Sequence, residues 1–181
     1  MKLRFVDLNR ENFDRFEPLL SGSELVYPES IRSVREDFLE MLEEPVAFLA
    51  FSDEEDDHAA GRDDSDDGDD DDYVGNVLGC ALTPEEVIEY GVRGKGRILY
   101  LFNIVVDPGF QGRGVGKSLM AEFLRRAKKH GYDVVAGHFR KNASLSLFKR
   151  FGGKEIQLHT DWEGTGEDYV YCEIDLKSYR P

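Results

Sequence analysis

The stretch Leu101-Phe102-Asn103-Ile104-Val105-Val106-Asp107-Pro108-Gly109-Phe110-Gln111-Gly112-Arg113-Gly114-Val115-Gly116 decides the fold. Its first part closes an apolar run, Ile98 to Val106, interrupted by Asn103, which is the pattern of a central strand covered on both faces. Asp107-Pro108-Gly109 ends that strand. From Val115 onward Leu119, Met120, Phe123, Leu124 and Ala127 recur at helical spacing, and Lys128, Lys129 and His130 followed by Gly131 form the expected helix ending. Strand, glycine-rich turn and helix in this order aim backbone N–H groups at an anion. Gly112, Gly114 and Gly116 let the backbone approach a phosphate closely, and Arg113 and Lys117 add positive charge around it.

Spacing narrows the ligand. A P-loop needs a glycine five residues before the glycine of Gly116-Lys117-Ser118, and that position is Gln111. A dinucleotide fingerprint needs G-x-G-x-x-G, whereas Gly112, Gly114 and Gly116 give G-x-G-x-G. The run instead closely resembles the central motif of the GNAT superfamily of N-acetyltransferases, Q/R-x-x-G-x-G/A. The similarity continues through Asn142 and Leu147-Phe148-Lys149-Arg150-Phe151-Gly152, and the Leu-Phe-Asn-Ile strand is most like the ribosomal-protein N-terminal acetyltransferases.

That resemblance implies an acyl-CoA N-acyltransferase fold and acetyl-CoA as the acyl donor. Backbone groups of Ile104, Val105 and Val106 would pair with the pantetheine arm, and Gln111, Gly112, Arg113, Gly114, Val115, Gly116 and Lys117 would hold the pyrophosphate. Asn142 would contact the arm from the other side, with Phe148 beside it at the position where many members carry a tyrosine that protonates the departing thiolate. Tyr169 and Tyr171 could serve as that acid if the last strand faces the cleft.

An amine attacks a thioester only when uncharged, and amines are largely protonated at neutral pH, so a base is required. The related enzymes carry a glutamate on the strand after the cofactor helix. Counting from Gly131 with the strand's arginine on Arg140 puts that position at His138, an imidazole with an ordinary pKa near 6.5; counting back from Asn142 puts it at Gly137. The acceptor is a primary amine: a protein N-terminus, a lysine or a small molecule. It would enter opposite the donor, between the first two helices, the Thr83 to Gly96 loop and the Thr160 to Gly166 segment, where Trp162 and Glu163 are the expected contacts. No nucleophile with an adjacent base stands out, so direct attack is expected. The other reading is a non-catalytic acyl-CoA sensor or partner-binding protein of the same fold.

The rest of the chain fits around this centre. At 181 residues, 40% of them hydrophobic and 12% aromatic, there is material for one domain spanning residues 1–181. Leu3, Phe5 and Val6 read as a strand, Asn9 as the N-cap of a helix from Arg10 to Leu20, and Leu8 with Phe13 as a hydrophobic staple. A second helix is expected from Pro28 to Glu43, stopped by Pro45. Further strands are expected over 46–51, 73–82, 133–139, 154–159 and 169–176, and a short helix over 143–151. Thr83 to Gly96 reads as a loop. The sum is a mixed, mostly antiparallel α/β (α+β) sheet of about seven strands with about four helices on its faces.

The net charge of minus 14 is uneven, since residues Asp53 to Asp72 alone carry 13 acidic residues against Arg62. That segment lacks apolar material and is expected to be a disordered insertion. Asp63 to Gly68 starts like an EF-hand, but Val74 stands where a bidentate glutamate is needed, so no metal is expected. An acidic chain repels phosphate backbones, which argues against nucleic acid as partner. Cys80 and Cys172 have neither zinc nor disulfide spacing and read as buried free thiols. With no signal-like N-terminus and no run near the roughly 20 apolar residues that span a bilayer, a cytoplasmic protein without membrane contact is expected.

Overall fold

The computed structural model describes residues 1–43, 46–53 and 73–180. Its strands are β1 (Leu3–Asp7), β2 (Val46–Ser52), β3 (Tyr73–Ala81), β4 (Ile98–Val106), β5 (Val134–Arg140), β6 (Lys154–His159) and β7 (Tyr169–Asp175). They form one sheet in the order β1-β2-β3-β4-β5-β7-β6. Every neighbouring pair is antiparallel except β4 with β5. The helices are α1 (Phe13–Ser23), α2 (Arg35–Met41), α3 (Pro84–Glu89), α4 (Val115–Lys129) and α5 (Ala143–Arg150). Among the described residues no helix is long and apolar enough to cross a membrane.

The alternation of β2 divides the core. Val46, Phe48 and Ala50 join the cluster under α4 and α5, whereas Ala47, Leu49 and Phe51 join the one under α1 and α2. Leu119, Met120, Phe123, Leu124 and Ala127 put a continuous apolar face of α4 on the sheet, and each large side chain buried there contributes about 1.5–3 kcal/mol. Gly79 is part of that packing, because a Cβ there would lie 2.6 Å from the Phe123 ring.

Several expectations are corrected. Asn9 does not cap a helix at Arg10. Its Oδ1 accepts from the N–H groups of Glu11 and Asn12, making a turn that delays the helix to Phe13, so Leu8 and Phe13 meet in the core without staple geometry. In place of a single helix over 28–43 there is a short 3-10 turn, Glu29–Ile31, and then α2, with another 3-10 turn, Glu24–Val26, just ahead of them. Tyr27 precedes a proline and is extended, and non-helical polar contacts outweigh helical periodicity: Arg32 Nε donates to Tyr27 O at 2.9 Å and Ser33 N donates to Glu24 Oε2 at 2.9 Å. The expected loop at 83–96 contains α3, started by a capping box in which Thr83 and Glu86 exchange hydrogen bonds of 2.7 and 3.2 Å. Pro45 and the acidic stretch 54–72 lie outside the described residues.

β4 departs furthest from its expectation. Leu78 pairs with Asn103 and Gly79 with Leu101, so Phe102 is the extra residue of a β-bulge. The bulge inverts the alternation of β4: Leu99 and Leu101 face the α4 side before it, Ile104 and Val106 after it. Phe102 is 37% exposed, so the strand is not covered on both faces along its length.

Candidate active site

Pairing between β4 and β5 stops just before the bulge. Only Ile98, Leu99 and Tyr100 are matched, with Val134, Val135 and Ala136. β5 continues to pair with β7 through Arg140, and β4 with β3 through Val106, so beyond Tyr100 the facing edges of β4 and β5 diverge. Backbone groups on such edges need partners. Into the mouth of this split come Val26 and Tyr27, held by Arg140, whose Nη2 donates to Val26 O at 3.3 Å. The resulting cleft measures about 670 Å³ and is bounded by Glu24, Tyr27, Tyr100, Ile104, His138 and Trp162, among others.

At the C-terminal end of β4 the chain makes a 3-10 turn, Pro108–Phe110, started by Asp107, whose Oδ1 accepts from Gly109 N at 2.8 Å. Gly112 and Gly114 follow with φ of 75° and 85°, a region open to glycine at little cost. Gly114 is the residue from which α4 starts, and no acidic side chain occupies the first turn. The first N–H groups of α4 lack intrahelical acceptors, which makes this end attractive to an anion. Gln111 Nε2 ties the turn back to Val106 O at 3.3 Å, and the Arg113 guanidinium lies 5.5 Å from the Phe110 ring centre. Gly116 has ordinary dihedrals, and a Cβ there would make normal 3.5 Å contacts with Val106 and Leu147.

His138 sits at the inner end of the cleft in a nest of rings. Its Nδ1 is 2.8 Å from the Tyr100 hydroxyl. Trp162 stacks on it with centroids 3.7 Å apart and planes at 18°, and His159 meets it edge-on at 4.8 Å. Burial, with a smaller contribution from the charge of His159, lowers the His138 pKa to about 3. The imidazole expected near 6.5 is therefore neutral at physiological pH and a weak proton acceptor. Burial likewise raises the Tyr100 hydroxyl well above its ordinary value, so it stays a neutral phenol. Cys80, also on the cleft, is pushed up to about 12 by burial and is no thiolate nucleophile.

A buried polar chain crosses the sheet beneath the cleft. Asn76 Nδ2 donates to Asn103 Oδ1 at 2.9 Å, Asn103 Nδ2 donates to Glu24 Oε1 at 2.9 Å, and the other Glu24 oxygen takes the Ser33 N–H. Glu24 is 3% exposed, and burial raises its pKa against the opposing hydrogen bonds from Ser33 and Asn103. Asn103→Leu should therefore leave Asn76 Nδ2 and Glu24 Oε1 without partners in the interior. The expected loss is about 2–5 kcal/mol, read as a lower urea midpoint at unchanged slope, with part of it recovered when Asn76→Leu is added.

The structure brings many of the anticipated residues together. Ile104, His138, Asn142, Trp162 and Glu163 all border the cleft, and Asn142 Oδ1 caps α5 by accepting from Ser144 N at 2.9 Å. Residues 111–117 lie at the start of α4, outside that cleft, while Val105 is buried in the sheet. Phe148 lies apart from these. It is fully buried, packs on Phe139 at 4.4 Å between centroids and touches core rather than cleft. Of the two tyrosines on β7, Tyr169 borders the cleft and accepts from Arg140 Nε at 2.8 Å, while Tyr171 does not border it. Tyr100, Glu24, Tyr27 and Tyr90 were not singled out from sequence. Tyr100 carried one usable signal, a phenol inside an apolar run whose hydroxyl must find a partner when buried.

This combination, a split between parallel strands flanked by a glycine turn at a helix start, is that of an acyl-CoA N-acyltransferase. A sequence model described as the acetyltransferase (GNAT) family matches residues 27–152, and the chain belongs to that family. An uncharacterized N-acetyltransferase of Methanocaldococcus jannaschii is 34% identical over 71 residues, covering 38% of this chain and 31% of that protein. The matched stretch thus spans about a third of that relative's length. Among solved structures, NAA60 of Arabidopsis thaliana in complex with acetyl-CoA superposes with a TM-score of 0.70 at 16% identity, covering 98% of this chain and 100% of that one. The ribosomal-protein-S18-alanine N-acetyltransferase of Escherichia coli gives 0.64 at 15% identity, covering 97% and 94%. At these identities the likeness is one of fold.

Proposed function

We propose that the protein transfers the acetyl group of acetyl-CoA to a primary amine by direct attack, acting as one acetyltransferase domain over residues 1–181. The observation that carries this reading is the unpaired edge of β4 running from Tyr100 to the positive-φ glycine turn. In that reading Ile104, Val105 and Val106 offer backbone groups to the amide-bearing pantetheine arm. The N–H groups from Gln111 to Lys117, with the charges of Arg113 and Lys117, hold the pyrophosphate, and Asn142 closes the opposite side. Trp162 and Glu163 contact the acceptor.

The residues at the inner end define the acceptor's state. Tyr100 and His138 are both neutral, so they orient an amine that arrives or becomes uncharged rather than ionising it by themselves. His138 then acts through Tyr100, holding its hydroxyl. The cleft wall carries Glu24, Asp37, Glu40, Glu86 and Glu163 against Arg32 and Arg140, a balance that favours a cationic amine over an acidic acceptor. No metal is needed for any step of this chemistry.

The test is a panel of peptides with free N-termini, polyamines and amino sugars, with release of CoA thiol and the mass of the acetylated product as readouts. With an α-amino acceptor, kcat/KM should rise about tenfold per pH unit up to the acceptor's own pKa near 8 and then level off, because raising pH frees the amine. No inflection should appear near 6.5, since His138 has lost its proton by about pH 3. An inflection at 6.5 that disappears in His138→Ala would overturn the neutral-pair reading. Thermal stabilisation by acetyl-CoA without acetylation of any amine would instead leave a non-catalytic acyl-CoA binder.

A further inference from the structure

Three buried polar atoms without a hydrogen-bond partner among the described residues fall in one place: His138 Nε2, His159 Nε2 and the Tyr171 hydroxyl. Their rings are mutually close, with centroids 4.8 Å apart for the two imidazoles, 5.0 Å for His138 and Tyr171, and 6.4 Å for His159 and Tyr171. Buried polar groups are nearly always paired, and a buried water typically has two to four polar partners, so three unpaired atoms around one spot call for a shared solvent molecule.

We infer that His159 is a positioning residue which, through a water shared between the two Nε2 atoms, holds His138 in its Nε2–H tautomer. The proposal rests on the reading of Tyr100 and His138 as the pair beside the reacting amine. The hydrogen bonds on the other side of His138 require the same tautomer. A phenol is a strong donor and an imidazole nitrogen with a free lone pair a strong acceptor, so the Tyr100 proton points to Nδ1, 2.8 Å away. Nδ1 is then the acceptor and the ring proton sits on Nε2. The water accepts that proton's hydrogen bond and donates to Nε2 of His159, whose proton is on Nδ1. His159 ends the edge strand β6 and is partly exposed, so its own Nδ1 can be served by solvent. If His138 took the opposite tautomer, Nδ1–H and the Tyr100 hydroxyl would present two protons to each other, and the phenol would have to turn its proton toward the amine it is meant to receive.

Other titratable groups face this pair from every neighbouring element: Tyr90 from α3, Tyr100 from β4, Tyr171 from β7 and Glu163 beside Trp162. The burial of the tyrosines keeps them protonated, which leaves the two imidazoles to set the hydrogen-bond direction.

The experiment uses the full chain with 15N-labelled histidine, in wild type, His159→Phe and His159→Gln. Imidazole 15N shifts report the tautomer of His138 independently of turnover. The wild type should show the Nε2–H form, His159→Phe a mixture, and kcat in that variant should fall roughly tenfold to a hundredfold while both KM values stay within about twofold. His159→Gln, whose amide can still meet the water, should restore much of both. Unchanged 15N shifts in His159→Phe overturn the inference whether or not kcat falls, since a loss of rate alone would reflect packing. If His159→Phe does not fold, the glutamine variant decides in the same way: a His138 tautomer other than Nε2–H in that folded protein overturns it. A wild type that acetylates no amine would sink the proposed function while the tautomer comparison still stands.

Discussion

Tyr100→Phe is expected to bind acetyl-CoA as the parent does and to acetylate amines about a hundredfold or more slowly, the usual range for losing a group that manages the proton in the transition state. The ring keeps its place, since Tyr90 packs on it at 5.5 Å and Ala136 and Tyr171 complete that part of the core. What disappears is a single oxygen, which holds the His138 imidazole at 2.8 Å and faces the cleft. The substitution leaves His138 Nδ1 unpaired, at a cost of about 1–3 kcal/mol in stability. Stability and rate must therefore be measured together, by urea unfolding and by steady-state kinetics. A folded variant whose kcat drops less than about threefold removes Tyr100 from the reacting centre. A raised KM at unchanged kcat would move it to acceptor binding.

Gly114→Ala should nearly abolish acetyl-CoA binding while leaving a folded protein. Gly114 sits at φ 85°, where an L-residue costs about 1–2 kcal/mol. A Cβ built there meets no atom within 4 Å, so folding suffers only that backbone cost. Binding suffers more, because relieving the strain turns the N–H groups at the start of α4 away from the phosphate. Losing two charge-assisted contacts at about 1.5–3 kcal/mol each corresponds to at least a hundredfold in Kd. Gly131 provides the control. It has φ 76° just past the far end of α4, and a Cβ there makes an ordinary 3.7 Å contact with Arg97. Gly131→Ala should lose similar stability and keep its affinity, both read by calorimetric titration and thermal melting. Equal affinity in the two variants would remove the pyrophosphate from the glycine turn.

The glycine turn was legible because its signal is local. Positive-φ glycines, the apolar stripe of α4 and the basic helix end all lie within about thirty residues, and each reports on its own backbone. The same holds for the capping box of α3, whose Thr83 and Glu86 are three apart and could have been read. Asn9 shows the limit of local reading, since it caps a turn instead of a helix.

For the cleft, the chain by itself determined which residue types were available: a histidine on the strand after α4, an asparagine in the central strand, a tryptophan near the last hairpin. Tertiary structure decided what they are. Asn103 finds Glu24 across 79 residues, and Tyr100 finds His138 across 38. The bulge at Phe102 is a matter of register with β3, so no reading of β4 alone could show that its alternation inverts. Phe148 took a motif position and ended in the core. His138 was expected as a base of ordinary strength, yet desolvation by a ring cluster drawn from five other segments makes it a neutral acceptor. Glycine conformation and helix periodicity belong to the chain, whereas desolvation and hydrogen-bond partnership belong to neighbours that only folding supplies.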